Sequence, residues 1–169
     1  ENNSIWLGSD PSGTTSTAAK NVGLGAGALD TITTGDQNTA VGYQALTDLA
    51  DGAANVSIGE RSGFLITSAS YNTYCGRNAG YSNETAISNT AIGHQALYNS
   101  TGVQNTAVGK YAGGGATTAT NSVYIGSIAG QESTGNGSNV FIGYNSGETV
   151  GTTATHGVWI GTDCGATEA

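Results

Sequence analysis

The sequence predicts an all-β protein, a parallel β-solenoid (β-roll) of about ten 17-residue rungs forming one repeat array over residues 1–169. Three observations predict it. Glycine recurs at Gly8, Gly25, Gly42, Gly59, Gly76, Gly93, Gly109, Gly126, Gly143 and Gly161, at intervals of 17 residues except one of 16 and one of 18. Two columns rich in aliphatic and β-branched residues run in register with it. The composition, with 28 Gly, 1 Pro and 37% hydrophobic residues, suits a thin stacked coil better than a thick layered core. A unit this short can bury its apolar side only against its neighbours, which makes the chain quasi-one-dimensional.

The residue before each glycine is Leu7, Leu24, Val41, Ile58, Cys75, Ile92, Val108, Ile125, Ile142 or Ile160. Two residues earlier stand Ile5, Val22, Thr39, Val56, Thr73, Thr90, Thr106, Val123, Val140 and Val158. Side chains two apart on a strand share a face, so these columns predict one short parallel strand per rung and a β-branched interior ladder. The column between them reads Trp6, Gly23, Ala40, Ser57, Tyr74, Ala91, Ala107, Tyr124, Phe141 and Trp159. On that reading it points outward and is too apolar to stay wet. Trp6, Tyr74, Tyr124, Phe141 and Trp159 are therefore the expected assembly face, covered by another copy of the chain.

Four residues before the glycine, seven units carry Asn (Asn21, Asn38, Asn55, Asn72, Asn89, Asn105 and Asn139). Stacked Asn amides can hydrogen-bond along a solenoid axis, and Asn tolerates the left-handed backbone of a corner. Small residues three places after the glycine, such as Ala28, Ala45 and Ala79, imply close backbone approach. The residue directly after the glycine is chemically mixed (Ala26, Tyr43, Glu60, Arg77, His94, Lys110), as a solvated column would be. Arcs such as 47–54 and 131–138 hold Asp30, Asp36, Asp48, Asp51, Glu84, Glu132 and Glu148 and are expected at the surface. Pro11 offsets the first unit by one place, as a terminal or bulged rung would.

Cys75 and Cys164 lie five rungs, about 24 Å, apart at a strand spacing of about 4.8 Å, too far to bridge. Both are expected as buried free thiols. A net charge of −8 offers no footprint for nucleic acid, and no apolar run approaches a membrane span. The start at Glu1 and the uncapped ends suggest a piece of a longer array, or a unit that stacks end to end into a filament.

Tests for chemistry come out negative. His94 and His156 are about four rungs apart with no metal-ligand spacing, so no metal site and no cofactor are expected. The run Gly23-Leu24-Gly25-Ala26-Gly27-Ala28 lacks a third glycine at the right place, the following helix and the later acidic residue of a dinucleotide loop. No catalytic residues emerge, and a non-enzyme is expected. Tyr43, Tyr81, Tyr98, Tyr111 and Tyr144 are the best candidates to face a ligand, which by stacking chemistry would be a glycan.

The segments Asn38-Thr-Ala-Val-Gly-Tyr-Gln-Ala-Leu46, Asn89-Thr-Ala-Ile-Gly-His-Gln-Ala-Leu97 and Asn105-Thr-Ala-Val-Gly-Lys-Tyr-Ala-Gly113 resemble the head repeats of trimeric autotransporter adhesins and similar units of bacteriophage tail fibres. The resemblance covers essentially the whole chain. It implies a left-handed β-roll packed three abreast as a homotrimeric fibre, located on a virion or an extracellular surface. It also implies a cell-surface glycan or protein receptor as partner. The unit is longer than the common adhesin head unit, which favours a tail-fibre segment acting as spacer and host-surface reader. The alternative is an adhesive or filament-forming segment of a bacterial surface protein. A lesser one is an ice-binding solenoid, set against which the Thr column is interrupted by Val and expected inside.

Overall fold

The structure, a computed structural model, describes residues 3–8, 17–134, 137–147 and 155–165. Pro11 and Glu148 lie outside these. Ten strands follow one another: β1 Ile5–Gly8, β2 Val22–Gly25, β3 Thr39–Val41, β4 Val56–Ile58, β5 Thr73–Cys75, β6 Thr90–Ile92, β7 Thr106–Val108, β8 Val123–Ile125, β9 Val140–Ile142 and β10 Val158–Ile160. They form a single parallel sheet in chain order. Each strand pairs in the register of the sequence repeat, Thr39 with Val56 and Val56 with Thr73, for example. The chain is thus a β-solenoid with about 17 residues per turn.

The 16-residue interval leaves this register intact, since Thr90 still pairs with Thr106. Asn89 Nδ2 reaches Gly102 O, 13 residues on, where Asn72 Nδ2 reaches Ala86 O, 14 residues on. The turn absorbs the missing residue.

The invariant glycine has two physical causes. Gly59 has φ +134°, and a Cβ there would stand 2.6 Å from the carbonyl oxygen of Gly76 in the next turn. A side chain would be strained by the backbone and would collide with the stacked coil. Each turn is clasped to its neighbours on both sides of this point. Gly59 N–H donates to Val41 O at 2.8 Å, and Arg61 N–H donates to Tyr43 O at 2.8 Å.

The strand faces are the reverse of the sequence expectation. The middle residue of each strand is the interior one: Ala40, Ser57, Tyr74, Ala91, Ala107, Tyr124 and Phe141 are all fully buried. The β-branched columns on either side point outward, with Ile58 and Ile92 each 42% exposed. Space decides this. The interior is shared by the middle-strand residue, the small residue three places after the glycine and side chains from the turns, such as Leu46, Leu49 and Ile66. Two inward aliphatic columns per strand would overfill so narrow a coil. The arcs are correspondingly not all surface, because Ile32, Leu49 and Ile66 close the core from the far side.

Three corrections follow. Tyr74, Tyr124 and Phe141 form no outer assembly face; they are core, and Trp6 and Trp159 are partly buried and pack against that core. Phe141 stacks between Tyr124 and Trp159 at centroid distances of 5.4 and 4.7 Å. Cys75, on the outward column, is an exposed free thiol and Cys164 a half-buried one. The Thr column is outward as well.

The Asn ladder forms as the sequence suggests. Asn55 Nδ2 donates to Asn38 Oδ1 at 3.0 Å and to Ala69 O at 2.8 Å. Its own Oδ1 accepts from the Asn72 backbone N–H at 3.0 Å. The left-handed corner falls one residue earlier than expected, at Gln37, Ala54, Tyr71 and Ser88, and not on the Asn itself.

Candidate functional site

Two surfaces stand out. The first is the strand face. Its columns carry Val56, Ile58, Ile92, Val108, Ile125, Val158 and Ile160 among the exposed large hydrophobic residues, interspersed with Thr39, Thr73, Thr90 and Thr106. Across ten strands the stripe runs about 43 Å along the axis, at a strand spacing of about 4.8 Å. A continuous apolar band of that length is uncommon on a monomer in water. Charge is missing from both columns, so no like charges would face one another across an apposed strand face.

The second surface lies on the turns. Phe64, Tyr81 and Tyr98 each follow the repeat glycine by five residues and so fall in one column. Their rings stack at 5.1 Å between Phe64 and Tyr81 and 5.0 Å between Tyr81 and Tyr98. Arg61 caps the Phe64 end, its guanidinium 5.7 Å from the ring centroid. At the other end the column continues with Gly114, so the ring series stops. There a hollow of about 540 Å³ opens, lined by Tyr98, Asn99, Tyr111, Gly114, Gly115, Gln131, Glu132 and Thr134. Tyr111 packs perpendicular to the His94 ring at a centroid distance of 5.4 Å, and Lys110 Nζ lies 5.2 Å from its ring centroid.

Of the five tyrosines singled out from sequence, the fold brings Tyr98 and Tyr111 to one hollow and stacks Tyr81 behind Tyr98. Tyr43 and Tyr144 stand apart in the solvated column, 51% and 56% exposed. Phe64, Asn99 and Gln131 do not stand out by residue type, although the common offset of Phe64, Tyr81 and Tyr98 from their glycines is visible in the sequence.

Titration is dominated by burial in the core. Burial pushes the Tyr124 phenol up to about 12, against the opposing effect of the neighbouring Ser122 and Ser133 hydroxyls. Burial also raises Tyr74 strongly, opposed by the side chains of Asn83 and Asn89. On the surface, the Thr34 and Thr33 hydroxyls at 2.8 Å lower the Asp51 carboxyl. Among the described residues no group of three His, Cys, Asp or Glu could hold a metal ion, and no helix is long and apolar enough to cross a membrane. No family model, curated protein or solved structure matches the chain.

Proposed function

We propose that this chain is a structural segment of an extended fibre, of the kind found in bacteriophage tail fibres, in which three copies pack side by side through their strand faces. The carrying observation is the outward aliphatic stripe, which has an exposed large hydrophobic residue on seven of the ten strands and is free of charge. Burial of apolar area at about 25 cal/mol per Å² would favour its cover by an equally periodic surface, and a second copy has the same 17-residue rung. The assembly face thereby moves from the ring column to the Val/Ile/Thr columns. The segment then serves as a spacer on a virion or extracellular surface, with adhesion to a host receptor as its further task. An adhesive segment of a bacterial surface protein would use the same packing, and the flanking sequence separates the two.

The outward Thr39, Thr73, Thr90 and Thr106 bring one feature of an ice-ordering surface, but no rung carries a second hydroxyl beside them on the same face. Thermal hysteresis of a dilute solution would decide for that reading.

Cys75 offers the direct test of the packing, because it sits within the stripe and is exposed in a single chain. Alkylation by a maleimide should be slow in the native protein and become fast on dilution to dissociating concentrations or in denaturant. Fast, concentration-independent alkylation would refute a covered strand face.

A further inference from the structure

We propose that the hollow beside Tyr98 is a carbohydrate subsite, in which the apolar face of a neutral pyranose stacks on the Tyr98 ring where the aromatic column is interrupted. The inference deepens the adhesive part of the fibre reading by assigning it a site and a ligand class. It does not depend on the strand face, since the hollow is built from turns.

The geometry is that of one missing layer. Tyr98 and Asn99 lie five and six residues after their glycine, and Gln131 and Glu132 occupy the same two offsets two turns further on. In the turn between them these offsets are Gly114 and Gly115. The backbone ladder runs through without a break: Asn99 N–H donates to Gly114 O at 3.0 Å, and Gly115 N–H donates to Gln131 O at 2.7 Å. Only side chains are absent. Two turns are separated by about 9.6 Å, which leaves room for one ring between the Tyr98 face and the Gln131 side. Tyr81 covers one face of Tyr98 at 5.0 Å, and no side chain arises at 114 to cover the other.

The chemistry of the lining selects the ligand. A tyrosine face binds the C–H face of a sugar, and the phenol of Tyr111 stands beside it as a hydroxyl partner. Asn99 and Gln131 each offer an amide donor and an acceptor at the rim, and Glu132 offers an acceptor for sugar hydroxyls. An aromatic wall with a few convergent polar groups is the usual make-up of a ligand site. Lys110 is engaged over Tyr111, and the chain carries a net charge of −8, so phosphate and other anionic ligands are disfavoured.

The test is saturation-transfer NMR on the full chain with the methyl glycosides of glucose, galactose, mannose and N-acetylglucosamine. Transfer is expected to at least one sugar, strongest for the protons of one ring face. Tyr98→Ala should weaken binding about fivefold, the loss of one stacking contact, while Tyr98→Phe keeps it within about twofold. Gln131→Ala, which leaves the ring stack whole, should also weaken it, and Tyr144→Ala should not. Absence of transfer from all four sugars, or transfer indifferent to both Tyr98→Ala and Gln131→Ala, would overturn the proposal. The solution mass separates this outcome from the fibre reading: a monomer that binds sugar removes only the fibre, and an oligomer that binds none removes only the subsite.

Discussion

The ring of Tyr74 occupies the space that a side chain at residue 80 would need: a Cβ on Gly80 would stand 2.5 Å from Tyr74 Cζ. The same exchange recurs along the core. Gly130 and Gly147 face the rings of Tyr124 and Phe141, at 2.5 and 2.1 Å for the same built atom. In three turns with a small middle-strand residue the partner is Leu: Gly23 with Leu29, Ala40 with Leu46 and Ala91 with Leu97. Each of these turns thus holds one large group, contributed by the strand or by the turn. Ser57 and Ala107 are the turns with neither. There Gly63 lies against Leu46 and Ile66, and Gly113 against Leu97 and Tyr124, so neighbouring turns, with Ile66 of the same turn, fill the space.

This complementarity makes a sharp double-mutant test. Tyr74→Ala should cost about 3–5 kcal/mol for the cavity, and Gly80→Leu a similar amount for the clash. The double variant recreates the native Ala40–Leu46 pairing and should be more stable than either single one. Urea unfolding of the four proteins measures the coupling, and additive losses would contradict the shared-space account.

Gly59→Ala and Gly161→Ala probe the corner. Both glycines have a strongly positive φ, but among the described residues a new Cβ at Gly161 would meet only Cys164 Cβ, at 3.8 Å. Gly59→Ala carries the backbone strain together with the collision at Gly76 O and should lose more than about 3 kcal/mol. Gly161→Ala carries the strain alone and should lose about 1–2 kcal/mol. Equal losses in thermal unfolding would mean that φ strain, not stacking, enforces the glycine.

Alkaline pH should destabilise the fold through Tyr74 and Tyr124. Their folded-state pKa values lie above the ordinary value of 10, Tyr124 at about 12. Their contribution is therefore complete below about pH 10 and is lost as the pH rises through the folded pKa, at up to about 1.4 kcal/mol per pH unit for each group. Phenolate absorbance at rising pH, followed with circular dichroism, should show these two ionising only as the sheet melts. Tyr124→Phe should make the decline shallower. Ionisation of all 8 tyrosines in a folded protein would contradict their burial.

The repeat, the strand positions and their register are all legible in the glycine column, because a parallel stack forces equivalent residues to pair. Which face of the strand lies inside is not fixed by alternation. Alternation says that Val56 and Ile58 share a side, and hydrophobicity alone would place that side in the core. Burial follows available space, and apolar residues on a surface are ordinary in kind if not in this density. The sequence does carry the correcting signal, in the opposition of Tyr74, Tyr124 and Phe141 to Gly80, Gly130 and Gly147. For the candidate subsite, the ring column was visible, but the hollow arises from two glycines whose stacked neighbours only the coil geometry identifies.

Sedimentation equilibrium of the native chain reads out whether the strand faces are packed together. Packing through the aliphatic strand face is expected to give a species of three times the chain's 16.8 kDa, persisting at low micromolar concentration. Ile58→Asp paired with Ile92→Asp, which places charge in the stripe, should reduce it to a folded single chain. A wild-type protein that sediments as a 16.8 kDa monomer at every concentration would contradict the claim.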